Sequence, residues 1–433
     1  MTHLDVFDRH ESEVRSYCRS FPAVFERAEG SYLYDTDGRA YLDFFAGASA
    51  LNYGHNHPQL KQALLEYIGN NGIAHSLDMG SRAKAEFLEA FHAYILEPRG
   101  MNYRIQFPGP TGTNSVEAAL KLARKVKGRE QIISFTNAFH GMSLGALAVT
   151  GNAFKRAGAG VPLGYASPMP YCDYFGPEAD TIAYMDRLLG DTSSGIDKPA
   201  AVIIETIQAE GGVNVANKEW LQRLQALCRK HDMLLIVDDI QAGCGRTGPF
   251  FSFEGMGSEP DIVCLSKSLS GFGLPMAITL IKPEHDIWEP GEHNGTFRGN
   301  NLAFVTAKRA LELFWADDRL SRQVQAKAEL IRQGLQRVCN KYPQARGRVK
   351  GRGMLQGIEF EHVELAATAS RIAFQHGLVI ETSGSQDQVL KLLPPLTISE
   401  ADLKRGLELI ERSVGEAIAE LGIAPSKAAS GSR

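Results

Sequence analysis

Residues 233–248 read MLLIVDDIQAGCGRTG: an apolar run over 233–237, two carboxylates (Asp238 and Asp239), then a loop in which Gly243, Gly245 and Gly248 surround Arg246. A run with no polar alternation is the pattern of a strand covered on both faces, as in parallel sheets sandwiched between helices. In open sheets of that kind ligands sit beyond the carboxyl ends of the strands, so the acids stand where a bound group would be met. The local alternative is a turn, or an N-cap for the following segment.

Working outward, the same grammar recurs. The run 200–204 is followed by Glu205 in ETIQAEGG, and 261–265 is followed by Lys267 in SKSLSG. Further strands are expected over 104–107, 131–135 and 276–281, with helical periodicity over 59–69, 81–96 and 115–126. Alternation of this kind through about residue 280 implies an α/β domain with a mostly parallel sheet. Glu205, Asp238 and Lys267 at three strand ends should converge on one cleft. Desolvation there would lower the lysine pKa and make its amine nucleophilic toward carbonyls. At 108–114, PGPTGTN opens a helix, and Thr111, Gly112 and Thr113 offer either a phosphate cradle or an ordinary N-cap. Phe139 in FHG could present an aromatic face to a planar ligand or pack in the core.

The chain has 433 residues, enough for two or three domains, with 43 glycines, about 10% against a usual value of about 7%. Around Asp37-Gly38, residues 30–45 alternate as a hairpin. We divide the chain into an N-terminal hairpin segment, 1–58, belonging to a smaller domain; a large α/β domain, 59–310; a C-terminal α+β domain, 311–423; and a disordered polar tail, 424–433. With 46 Lys+Arg against 50 Asp+Glu, the net charge of −4 gives no blanket attraction to nucleic acid or anionic membrane. No run approaches the ~18 apolar residues of a membrane span, and the charged N-terminus lacks a signal-peptide pattern. Six scattered cysteines without a CxxC pair imply free thiols in a reducing, cytoplasmic setting. Two histidines in GHNHP, 54–58, lack a third ligand at recognisable spacing, so a hydrogen-bonded turn and no metal are expected.

The ordered segments YLDFFAG, GHNHP, GPTGTNSVEAALKLAR, FHG, ETIQAEGG, VDDIQAGCGRTG, SKSLSG, GTFRGN and LLPPL resemble the class III aminotransferases, pyridoxal-phosphate enzymes of fold type I. That resemblance runs from Gly30 to about Gly422. It implies a large mixed, mostly parallel sheet domain with a smaller α+β domain, and pyridoxal 5'-phosphate as cofactor. By the same resemblance Lys267 would carry the cofactor covalently and Asp238 would pair with its pyridine nitrogen. Gln241 would bond the phenolic oxygen, while Phe139 stacks on the ring and Ile240 packs behind it. Thr111, Gly112 and Thr113 would hold the phosphate with Thr296 from a neighbouring subunit, making a homodimer or homotetramer with the site at the interface.

Two positions depart from the family. Many relatives have Asp-Glu where this chain has Asp238-Asp239. The family's carboxylate-clamping arginine, three residues before Pro-Pro, is Lys391 here, a point charge in place of a bidentate fork. Either Lys391 holds the substrate carboxylate or another arginine such as Arg298 contributes; Glu210 is the residue that in relatives neutralises that cation. Residues 7–22, FDRHESEVRSYCRSFP, and 107–125 are most similar to members that pass the amino group of L-glutamate to L-aspartate 4-semialdehyde, the first step of ectoine biosynthesis. The rival is another ω-aminotransferase, for ornithine, 4-aminobutyrate or acetylornithine, since one methylene in a pocket is worth only about 1–3 kcal/mol.

Overall fold

Seven strands build the central sheet of the computed structural model, which describes residues 4–424. Along the chain they are β1 Arg104–Gln106, β2 Ile132–Phe135, β3 Ala166–Met169, β4 Ala201–Ile204, β5 Leu234–Asp238, β6 Ile262–Leu265 and β7 Ile278–Ile281. Their order across the sheet is β1-β7-β6-β5-β4-β2-β3. β7 runs antiparallel to both its neighbours, and the other pairings are parallel. All six expected strands are present, each within two residues of its expected limits.

Every residue of β2, β4, β5, β6 and β7 is buried, as the unalternating apolar runs require. Successive side chains still point to opposite faces. Ile203, Ile236 and Ile262 pack under Val116, Ala119 and Ala123 of the helix Gly112–Lys127. Val202, Leu235, Val237 and Val263 face the larger core, which contains Phe250, Phe253 and Trp220.

The expected hairpin is Tyr32–Asp35 paired with Ala40–Asp43, with Gly38 at φ 80° in the turn. Phe25–Glu29 adds one more strand, and Leu378–Val379 joins the other edge in parallel to Ala40–Asp43, tying the two ends of the chain together. A second four-stranded sheet contains Arg348–Arg352, Leu355–Glu359, Val389–Leu392 and Glu381–Ser383 in that order. The long helices Asn301–Phe314, Arg319–Lys341 and Glu400–Glu420 dominate the C-terminal third of the chain.

The glycine-rich loop after β5 folds around Arg246, which is wholly buried. Its guanidinium donates to Pro394 O at 2.6 Å, Met354 O at 3.3 Å and Asn52 Oδ1, pinning three distant segments together. In GHNHP, His55 Nε2 meets Asp43 Oδ2 at 2.7 Å and His57 lies edge-on to Phe314. No helix among the described residues is long and apolar enough to cross a membrane. Apart from Ala424, the expected tail lies outside the described residues.

Candidate active site

Three strand ends meet at one cavity of about 190 Å³. Asp238 closes β5, Glu205 follows β4, and Lys267 stands two residues beyond β6; all three line it. Lys267 has φ 51°, left-handed backbone that a residue with a Cβ adopts only when its surroundings hold it there. Its Nζ donates to Ala48 O at 2.8 Å, and burial pushes its pKa down, opposed by the nearby Glu210 carboxylate. Lowering the pKa raises the fraction of free amine.

Behind Asp238 stands His140, from the loop after β2. His140 Nδ1 lies 2.8 Å from Asp238 Oδ2, and the Ile240 N–H donates to Asp238 Oδ1 at 3.2 Å, so the carboxylate is gripped at both oxygens. Glu205 Oε2 accepts from the Phe139 N–H at 3.0 Å, which sets the Phe139 backbone at the cavity wall. Burial, and then the Asp238 charge, push the Glu205 pKa well up. The Lys155 ammonium sits 4.2 Å from the centre of the Phe139 ring.

At the other end the helix Gly112–Lys127 opens onto the cavity, with free N–H groups in its first turn. Thr113 Oγ1 is 2.7 Å from Ser143 Oγ, which donates to Glu117 Oε1 at 2.6 Å. A Cβ on Gly112 would come 2.8 Å from Ile240 Cδ1, and one on Gly141 would come 2.4 Å from Thr113 Oγ1, so both glycines keep this end open. Thr111 is the N-cap residue; its N–H and hydroxyl both donate to Asn114 Oδ1, at 3.2 and 2.8 Å, and it stands outside the cavity wall.

A chain of polar contacts leads away from the cavity. Gln241 Nε2 donates to Glu210 Oε1 at 3.1 Å, and Lys391 Nζ donates to the same oxygen at 2.7 Å. Lys391 is completely buried and makes a second ion pair, 3.0 Å, with Glu381 Oε1. Although burial opposes it, Lys391 and Lys267 hold Glu210 down to about 2, and the two carboxylates raise the Lys391 pKa in spite of its burial.

A model of the family described as "Aminotransferase class-III" matches residues 15–414. The chain belongs to the class-III aminotransferases. The diaminobutyrate–2-oxoglutarate transaminases of Bordetella parapertussis and Streptomyces anulatus are each 60% identical to it, over 96% of both chains and over 95% and 98% respectively. The ornithine aminotransferase of Toxoplasma gondii superposes with a TM-score of 0.83 at 26% identity, covering 96% of this chain and 95% of that one.

In this class-III aminotransferase, Gly112, Thr113, Phe139, Asp238, Ile240, Gln241 and Lys267 all line the same cavity. Glu210 and Lys391 meet behind Gln241. Thr296 is exposed, its carbonyl accepting from His75 Nε2 at 2.9 Å, and it lies outside the cavity of one chain. Arg298 donates to Pro108 O and Asn294 O, next to the helix opening and away from Lys391. Asp239 turns away from the cavity and accepts from the Ser252 N–H at 3.0 Å. Sequence reasoning missed the pairing of His140 with Asp238, and missed Glu381 and Tyr17. Tyr17 lies tilted against Phe45, 4.9 Å between centroids, and burial and the charges of Glu381 and Glu210 raise its hydroxyl pKa.

Proposed function

We propose that this pyridoxal 5'-phosphate-dependent aminotransferase moves the amino group of L-glutamate to L-aspartate 4-semialdehyde, giving L-2,4-diaminobutyrate and 2-oxoglutarate. The observation that carries the chemistry is the convergence of the Lys267 amine, the Asp238 carboxylate and a helix N-terminus on one cavity. The residues present fit the cofactor: an amine for its aldehyde, an acid for its ring nitrogen, N–H groups and a hydroxyl for its phosphate, and two glycines where side chains would intrude. The substrate assignment is supported by 60% identity to transaminases of that name.

When bound, the cofactor supplies an aldehyde carbon and an electron-withdrawing ring. Lys267 contributes an amine whose pKa burial lowers, able to take a proton from the substrate carbon at Nζ and return it. Asp238, held by His140, would keep a proton on the ring nitrogen, favouring the cationic ring. Phe139 and Ile240 would bracket the ring, Gln241 would donate to the phenolic oxygen, and Gly112 and Thr113 would meet the phosphate beside Thr111. Glu210 and Lys391 would sort substrate charge.

Thr296 from a neighbouring subunit would complete the phosphate site in a homodimer or homotetramer. Residues 59–310 would form the cofactor-binding domain, with 1–58 and 311–423 making the smaller one. Free cysteines support a cytoplasmic setting, and diaminobutyrate would feed ectoine synthesis. Substituting Lys267→Ala should abolish turnover and the visible absorbance of the bound cofactor; multiple turnover in that variant would end the reading. A panel of amino donors tests the rival suggested by the ornithine aminotransferase fold, which faster reaction with ornithine than with diaminobutyrate would favour.

A further inference from the structure

Lys391 and Glu381 face each other across two hydrogen-bonded strands. Val389–Leu392 pairs antiparallel with Glu381–Ser383, and in that register Glu381 is the residue directly opposite Lys391. On the other side of Lys391 the register partner is Gly357, which has no side chain to compete. The backbone holds the Cβ atoms of directly opposed residues about 5 Å apart, so the strand pair keeps Glu381 within reach of Lys391. Glu210 is tethered differently. It comes from the segment after β4, has an alternative partner in Gln241, and keeps 21% of its side chain exposed, against 7% for Glu381 and none for Lys391.

This asymmetry decides which charge an incoming substrate must contend with. One ammonium between two carboxylates leaves a net charge of −1, and Glu210 turning toward the cavity still leaves Lys391 neutralised by Glu381. We propose that Glu381 is the specificity-determining partner of Lys391: its carboxylate competes with a substrate carboxylate, and a dicarboxylate gains Lys391 only as Glu381 takes up a proton from solvent. The site would thereby discriminate between a dicarboxylate, such as glutamate, and a substrate whose distal end also carries an ammonium. The inference rests on the proposed use of glutamate as amino donor.

The surroundings suit a proton held at Glu381. Among the described residues, the titratable groups facing it are Lys391 on the paired strand, Glu210 after β4, Lys267 after β6, and the Tyr17 hydroxyl from the N-terminal helix Tyr17–Ser20. Burial pushes Glu381 up to about 7, with Lys391 opposing the rise and Glu210 adding to it. A proton there costs little near neutrality, whereas Glu210 stays ionised.

Calorimetric titration of the holoenzyme with glutarate, an unreactive dicarboxylate, tests this in buffers of different ionisation enthalpy. The wild-type protein should take up a fraction of a proton on binding glutarate, a fraction that grows between about pH 6 and pH 8. Glu381→Gln keeps the shape and an acceptor for Lys391; it should bind glutarate without proton uptake and, near pH 8, about tenfold more tightly than wild type. In turnover, the ratio of the KM for 2-oxoglutarate to that for diaminobutyrate should fall by a similar factor. Absence of proton uptake in the wild type, or equal effects of Glu381→Gln on both KM values, would overturn the proposal. If wild-type enzyme failed to transaminate glutamate, the assigned reaction would fall, while the glutarate titration would still judge Glu381 by itself.

Discussion

His140 Nδ1 lies 2.8 Å from Asp238 Oδ2, and both side chains are buried. The imidazole meets one carboxylate oxygen and the Ile240 N–H meets the other, so together they fix the position of the carboxylate at the cavity wall. A hydrogen bond to a charged group is worth about 1.5–3 kcal/mol, which converts to about 10- to 100-fold in rate where that charge acts in the reaction. His140→Gln should therefore slow the half-reaction with glutamate by about that factor, with the cofactor still bound, and Asp238→Asn should slow it further. Single-turnover absorbance measurements report both, and an unaltered rate in His140→Gln would show that the pair is structural only.

The strand ends were legible because their chemistry is local: apolar β-branched runs stop at Glu205, Asp238 and Lys267, and a strand that stops at a sheet edge presents its next residues there. β3, Ala166–Met169, escaped notice because a short edge strand containing Pro168 carries no apolar run. Glu381 escaped for another reason. Its meeting with Lys391 depends on the register of two strands, and one residue of slip would turn the side chain to the opposite face. Thr296 was assigned from resemblance to the site of a second subunit, and in one chain it stays at the surface.

Gly112 and Gly141 stand on either side of Thr113, yet replacing them by alanine should have different consequences. Gly141 has φ 133°, and its added Cβ would come 2.4 Å from Thr113 Oγ1 and 3.2 Å from Ala146 Cβ. Backbone strain and overpacking each cost about 1–3 kcal/mol, so Gly141→Ala should lower Tm clearly, by several degrees or more. At Gly112 the obstacle is Ile240 Cδ1, the far end of a flexible side chain, at 2.8 Å. Ile240 would yield by turning into the cavity it lines, so Gly112→Ala should leave Tm nearly unchanged and weaken cofactor retention about tenfold. Thermal melts of the cofactor-free protein and equilibrium cofactor titration separate the two effects; equal losses of Tm would contradict the assignment.

Asp261, just before β6, ties that strand to its two neighbours. Its Oδ2 accepts from the Leu235 N–H on β5 at 2.9 Å, and its Oδ1 accepts from Lys282, just past β7, at 2.9 Å. Although burial works against ionisation, the bonds from His285, Leu235 and Lys282 hold its carboxyl down to about 2. A folded-state pKa below the unfolded one stabilises the fold above the unfolded pKa, and that contribution is lost as pH falls toward the folded one. After discounting for partial exposure, Asp261→Asn should cost about 1–2 kcal/mol at pH 7. The difference from wild type should shrink as pH falls from about 4 toward 2, where the native carboxyl is also protonated. Denaturant melts of both proteins at pH 7, 4 and 3 measure it. A gap that stayed constant with pH would mean that the side-chain amide fails for reasons of shape, and that the charge of Asp261 adds nothing to the sheet.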